Sequence, residues 1–225
     1  MPFSRRGFAL CRISTERNPN DMHPITPCGT LSIGQGNKKV GRALTFSLPS
    51  RLTCPGASPW CLRRCYAFRY ERLRPSCLDA YGRNLSLSLD ADRFTETMVG
   101  TLPRGLRGLR IHVSGDFYSA LYTNTWIRIC QARPDIVFWS YTRSWFSEAI
   151  QPSLEVLRHL SNVRLFASTD STMPLPPAGW RTAFIEEDPR AQGMPCKKQQ
   201  GHVESCLTCG YCLFSESGHV VFKVH

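Results

Sequence analysis

The chain has 225 residues, 42% of them hydrophobic and 11% aromatic, with 16 Gly, 16 Pro, 11 Cys and a formal net charge of +11. That composition suits one globular domain with a small appendage and excludes a disordered polypeptide. No uncharged apolar run approaches the roughly 20 residues a membrane-spanning helix needs, and no long apolar stretch follows Arg5 and Arg6, so no membrane contact and no secretory signal are read, and the cytoplasm is the expected location.

Residues 1–41 are expected to form a basic N-terminal arm, because NPND, HPITPCG and GQGNKK show turn residues without sustained periodicity. Residues 42–190 read as an α/β core and residues 191–225 as a Cys-rich segment packed on it. The alternating stretch 42–48, closed by Pro49, predicts a first strand. A helix is expected from Cys61 to about Arg72. Another is expected over 90–102, where Phe94, Met98 and Leu102 recur at helical spacing behind Asp90. A strand over 109–113 ends in Ser114-Gly115-Asp116 and leads to a helix over 118–132. A strand over 135–141 precedes a helical segment, 147–160, interrupted at Pro152. Residues 163–168, 182–185 and 219–224 complete six strand-like segments. Strands separated by helices imply parallel neighbours joined by crossovers. The expected fold is therefore α/β, a partial (β/α) barrel of about six mostly parallel strands with a Cys-rich C-terminal extension. Ser114, Gly115, Asp116, Thr142, Arg143, Ser168, Thr169 and Asp170 fall just past strand ends, the rim where such folds place their sites.

The positive charge is concentrated. Residues 1–75 hold 13 Lys and Arg against 3 Asp and Glu, whereas the remaining two thirds are close to balance. Arg63, Arg64, Arg69, Arg72 and Arg74 follow a pair of cysteines, and Lys38, Lys39 and Arg42 follow a glycine-rich turn. Such a field favours DNA, RNA, a nucleotide or another polyanion; a solvated basic face is the alternative. Lys38 and Lys39 belong to a Gly-rich stretch that either cradles phosphate or forms a plain turn. Phe138, Trp139, Tyr141, Trp145 and Phe146 around Arg143 either stack bases or pack a strand.

Eleven cysteines, an odd number in a reducing compartment, point away from a disulfide framework and toward metal or redox chemistry. Cys54, Cys61 and Cys65 follow the first strand as C-x6-C-x3-C, in a loop turned by Pro55, Gly56 and Pro59. Three thiolates can hold three irons of a [4Fe–4S] cluster and leave the fourth open. The neighbouring arginines are expected to lower the thiol pKa values. A structural zinc site is the alternative and needs a fourth ligand, such as Cys77. Cys196, Cys206, Cys209 and Cys212 contain the ferredoxin-like C-x2-C-x2-C run and predict a second, fully ligated cluster, with zinc and His202 as the alternative. Cys11, Cys28 and Cys130 stand apart, Cys130 on an apolar helix face suited to the core.

The strings GNKKVGRALTFSLPS, TCPGASPWCLRRCYA, IHVSGDF, FWSYTRSW and CLTCGYC resemble the phage gene product 88 family over roughly residues 30–215, which implies a phage or prophage origin. The order of strand, cysteine loop ending in Cys-Tyr-Ala, helix, and strand ending in Ser-Gly-Asp is also similar to the radical S-adenosylmethionine (SAM) enzymes. That resemblance implies an open cluster on Cys54, Cys61 and Cys65. Ser114, Gly115 and Asp116 would stand where the family holds the SAM amino group, with Ser168 and Asp170 meeting the ribose or carboxylate. The terminal cysteines would form an auxiliary cluster, and an electron donor would be a partner. The chain departs from the family's C-x3-C-x2-C: Cys61 and Cys65 keep the first spacing, but position 68 is Phe and the third thiol lies upstream. An open iron could equally bind a sulfur or oxygen of another substrate. His112 and Asp116 are the candidate catalytic residues. The alternation of His112 with Ile111 and Val113 turns it toward a barrel interior, and a hydrogen-bonded core histidine is the other reading.

Overall fold

The computed structural model describes residues 30–36, 40, 41 and 43–224. The expected arm over residues 1–41, with Cys11, Cys28, Lys38 and Lys39, lies for the most part outside the described residues.

Strand β1 (Leu44–Phe46) leads through the cysteine loop into helices α1 (Pro59–Arg63), α2 (Tyr66–Leu73), α3 (Pro75–Ser88) and α4 (Ala91–Thr101). Then β2 (Gly108–Ile111), α5 (Ala120–Ala132), β3 (Val137–Thr142), α6 (Gln151–Arg158), β4 (Val163–Ser168) and β5 (Arg181–Ile185) alternate. The C-terminal segment supplies β6 (Met194–Pro195), α7 (Cys206–Cys209), α8 (Tyr211–Phe214) and β7 (Val220–Phe222). The seven strands form one sheet in the order β1-β2-β3-β4-β5-β7-β6, every pair parallel. The sheet is open, with β1 and β6 as its two edges. The parallel α/β expectation holds in that form, with one strand more than expected, because Met194–Pro195 adds a short edge beside β7.

The helical expectations shift by up to four residues at their ends for local reasons. Asp90 stands outside α4 and accepts from Arg93 N at 3.0 Å, and Ser119 does the same for α5 from Tyr122 N at 3.1 Å; each side chain satisfies an N–H that the first turn leaves without a partner. Pro152 does not interrupt a helix. It sits in the first turn of α6, where its missing N–H costs nothing. The single helix expected from Cys61 is two, since Arg64 and Cys65 leave helical geometry and the Cys65 sulfur caps α2 through Phe68 N.

The two faces of the sheet are packed differently. Ile111, Phe138, Leu165 and Ala167 bury against Phe94 and Met98 of α4, Trp126 and Cys130 of α5 and Leu154 of α6. Within this core Phe46 lies 5.3 Å from both Phe94 and Trp126, ring centre to ring centre. Each such aromatic pair adds about 0.5–1.5 kcal/mol beyond its buried area. On the opposite face Trp139, Tyr141, Phe166, Ala183 and Val220 pack against Leu213, Tyr211, Cys206 and Cys212. The Cys-rich segment thus covers the sheet where no crossover helix does, and strands buried on both sides explain the near-continuous apolar runs of β3 and β4.

His112 departs from the alternation that places Arg110 and Ile111 on opposite faces. Its backbone has φ +61°, so its ring swings into the helix-side core instead of the interior expected from alternation. There it meets Phe117 edge-on at 4.7 Å and shares a 2.8 Å hydrogen bond between Nε2 and the Tyr122 hydroxyl. Burial, with the Arg110 charge adding to it, lowers the imidazole from 6.5 to about 3. The unfolded chain therefore takes up a proton below about pH 6.5 that the folded one refuses until about pH 3. The stability this neutral histidine contributes is full above that window and is lost as pH falls through it. Urea denaturation followed by tryptophan fluorescence is expected to show a lower midpoint at pH 5.5 than at pH 7, and a smaller difference in His112→Gln; an equal difference in the two proteins would contradict this assignment.

Candidate functional site

The loop after β1 is fixed at both ends by short-range bonds. Thr53 Oγ1 donates to Pro49 O at 2.7 Å, Ala57 N donates to Cys54 O at 3.1 Å, and Ser58 Oγ accepts from Cys61 N at 3.0 Å to cap α1. Gly56 is pressed so closely on the next loop that a Cβ there would lie 2.0 Å from the Arg143 carbonyl oxygen. The result places Cys54, Cys61 and Cys65 in the wall of one cavity of about 220 Å³. Arg64, His112, Ser114, Gly115, Asp116, Arg143 and Ser168 line the same cavity. Ten residues singled out by sequence therefore converge at the C-terminal ends of the strands. Arg63 is exposed on α1.

At Cys54 and Cys61 burial outweighs the lowering expected from nearby arginines. Burial pushes Cys54 up to about 12, with the Asp116, Cys61 and Cys65 charges adding to it, and burial also raises Cys61 against the opposing charge of Arg143. Without a metal these two groups hold their protons at neutral pH, so any metal they take must displace them.

Three buried carboxylates hold the cavity floor together. Glu71 of α2, unnoticed in the sequence as the lone acid in a run of arginines, accepts from Ser50 N at 3.0 Å, from Ser50 Oγ at 2.8 Å and from Ser114 Oγ. It ties the ends of β1 and β2 to the helix that Cys65 caps. Gly115 completes that junction: at φ +77°, a Cβ would meet Thr53 Oγ1 at 2.6 Å and Leu48 Cβ at 2.7 Å. Asp116 accepts from Phe117 N at 2.8 Å and Thr142 Oγ1 at 2.6 Å through one oxygen, and from Arg143 N at 2.7 Å through the other. Burial raises its pKa although its hydrogen bonds oppose the shift.

Asp170 stands behind the cavity and anchors the cysteine loop. Its Oδ2 accepts from Ser58 Oγ at 2.7 Å and Arg143 Nη1 at 2.5 Å, and its Oδ1 from Thr172 N at 3.0 Å and Thr172 Oγ1 at 2.6 Å. Burial works to raise its pKa, but the bonds from Ser58 and Thr172 and the Arg143 charge outweigh it and leave the pKa below the ordinary aspartate value. A carboxylate has about four lone-pair sites. Those of Asp170 are all taken.

The second cysteine group lies on the sheet face covered by the C-terminal segment. Cys196 is fixed by its N–H to Val221 O at 2.8 Å, Cys206 and Cys209 sit on α7 and Cys212 on α8. All four line a second, smaller cavity together with Lys197 and Lys198. Burial pushes the Cys212 thiol up to about 11, partly offset by Tyr141 and Arg110. Arg110, Tyr141 and Phe222 form walls of both cavities. Arg110 is buried, lies 4.3 Å over the Tyr141 ring and has no carboxylate partner among the described residues. His202 and Cys77 line neither cavity, and Cys130 is in the core. Among the described residues no three His, Cys, Asp or Glu side chains are grouped so as to hold a single metal ion; the thiols stand around cavities.

The aromatic stretch around Arg143 is packing, not a platform for bases. Phe138, Trp139 and Trp145 are buried, and Trp145 Nε1 donates to Ser168 O at 2.8 Å, while Phe146 is exposed. No helix among the described residues is long and apolar enough to cross a membrane.

Comparison with known proteins bears on descent. No solved structure matches the chain. It is 33% identical over 149 residues to the Gene 88 protein of Mycobacterium phage L5 and 32% identical over 150 residues to that of Mycobacterium phage D29, in each case across 60% of this chain and 60% of the relative. The chain thus matches less than two thirds of those relatives' length. The family described as Gene product 88 matches residues 29–193, which include the β1 loop, the first cysteine trio and the rim formed by β2, β3 and β4. The chain belongs to the gene product 88 family.

Proposed function

We propose that this protein is an iron–sulfur enzyme of radical-SAM-like type. In this reading Cys54, Cys61 and Cys65 hold a [4Fe–4S] cluster with one open iron, Cys196, Cys206, Cys209 and Cys212 hold an auxiliary cluster, and the substrate is nucleic acid or another anion. The observation that carries it is the gathering of seven cysteines around two adjacent cavities, one at the strand ends and one on the inner sheet face. Soft thiolate donors in threes and fours suit iron–sulfur clusters. Cysteines spread around a cavity suit several irons, each taking one thiolate, more than they suit one tetrahedral zinc. The sequential parallel order of β1 to β5, with the cysteine loop directly after β1, is taken here as the partial (β/α) barrel of such enzymes.

An open iron, when reduced, supplies an electron to a sulfonium cofactor. The chain's own residues would do the rest. Asp170 is a positioning residue, since its bonds to Ser58 and Arg143 hold the cysteine loop and leave no acceptor for a ribose. Ser114 is likewise engaged by Glu71. Asp116 lines the cavity and is the carboxylate suited to an ammonium of SAM. His112 lines the cavity with a buried Nδ1 that has no partner among the described residues. A strained left-handed backbone at a non-glycine residue is the kind of cost that persists at functional positions. Arg110, with Tyr141 and Phe222, separates the cavities and would offset the negative charge of both clusters.

Protein purified without oxygen is expected to be brown, with iron and acid-labile sulfide in equal amounts, and each of Cys54→Ala and Cys206→Ala to lose about half of that iron. Zinc without sulfide would overturn the reading. Separately, Arg110→Met removes one buried positive charge from between the clusters and is expected to make both reduction potentials more negative in an EPR-monitored titration, because each reduced cluster carries the greater negative charge. A shift confined to one cluster would show that Arg110 is not shared.

A further inference from the structure

The surface beside the mouth of the first cavity has a composition that the cysteines do not explain. From Arg51 to Arg74 the chain carries six arginines and a single acid, Glu71, and Glu71 is buried on Ser50 and Ser114. The six guanidinium groups therefore face solvent without a neighbouring exposed carboxylate of their own segment. Arg64 reaches Glu187 at 2.6 Å, and among the described residues Arg51, Arg63, Arg69, Arg72 and Arg74 have no carboxylate partner.

Aromatic rings position several of these cations instead. Arg51 lies 3.6 Å from the Phe68 ring centre and Arg72 6.0 Å from the same ring; Arg74 is 5.3 Å from Tyr70 and Arg64 5.0 Å from Trp60. A guanidinium resting on a ring loses less freedom when it takes up a ligand, and its planar fork suits phosphate. Tyr66, whose hydroxyl donates to Val113 O at 2.8 Å, and Tyr70 remain 45% and 47% exposed as residues. Trp60, Arg64 and Tyr66 belong to this surface and also line the first cavity, so the basic face runs into the cavity mouth.

The geometry points to a binding surface for single-stranded nucleic acid along α1 and α2, phosphates on the arginines and bases against Tyr66, Tyr70 and the flat guanidinium groups. Its role as a substrate surface rests on the enzymatic reading above, but binding itself does not require either cluster. Unstacked bases are what such platforms hold, and a duplex keeps its bases stacked within. A duplex partner or an acidic protein would use the charge but not the rings.

Fluorescence anisotropy with a labelled oligothymidylate, a duplex of equal length and polyglutamate distinguishes these occupants, and iron content measured on the same sample reports on the clusters separately. The single strand is expected to bind, and more tightly than the duplex. Arg69→Glu/Arg72→Glu/Arg74→Glu is expected to weaken it at least tenfold and to reduce the slope of log affinity against log salt by about 2, at roughly 0.7 per lost phosphate contact. Tyr70→Ala is expected to weaken binding with the slope unchanged. The triple Arg→Lys variant keeps the charge and is expected to retain the slope, which separates loss of contact from loss of fold. Wild-type affinity in the triple Glu variant, equal affinity for the duplex, or binding of polyglutamate alone would overturn the proposal.

Discussion

The bond on which the site depends is between Asp170 and Arg143. Asp170 follows β4, Arg143 follows β3, and Ser58, which shares the same carboxylate oxygen, lies 112 residues earlier in the cysteine loop. One buried oxygen thus fixes the loop to two strand ends at once. Arg143 is held from the other side as well, since its N–H donates to Asp116. Removing one member of a buried pair leaves an uncompensated charge, a loss of about 3–5 kcal/mol. The arrangement is consequently stiff where the thiols are carried. Glu71 repeats the device on the other side of the cavity, drawing α2 onto the ends of β1 and β2. The cavity is held together by three buried acids.

The sheet supplies the frame for those acids. Sequential parallel strands bring the residues following β1, β2, β3 and β4 to one rim in chain order, so short polar motifs far apart in sequence become neighbours without long loops. The same parity that buries Ile111 and Phe138 under the helices sends Arg110, Trp139 and Tyr141 to the other face. There the C-terminal segment replaces the helices as cover. Two cysteine groups separated by over a hundred residues therefore share a wall, and that wall contains a buried cation.

Much of this was legible in the sequence. β4 coincides with its expected stretch, and Asp90 announces the start of α4 through its cap. The rim residues were readable because polar side chains directly after apolar strands have few other places to go. Other features were not readable, for physical reasons. α3 begins at Pro75 with no capping side chain and mixes polar and apolar residues without a clean stripe. His112 obeys alternation in sequence, and only the left-handed backbone reverses its direction. Glu71 looks like an ordinary charge until its partners come together from distant segments, and Asp170 is legible at the rim but not as the anchor of Ser58, Arg143 and Thr172. The aromatic run around Arg143 resembles a base-stacking platform in composition, yet burial turns it into core, while the exposed rings stand among the arginines of α1 and α2.

The position of β7 also constrains both cavities. It lies between β5 and β6, so the short strand that leads into Cys196 has no neighbour to pair with until residues 220–222 have been made. The second cavity is therefore complete only once β7 is in place, and because Phe222, Lys223 and Val224 also wall the first cavity, the rim closes with it. The topology thus couples the two cavities instead of ordering them: both wait on β7, and loss of that strand would open the rim and the inner face together.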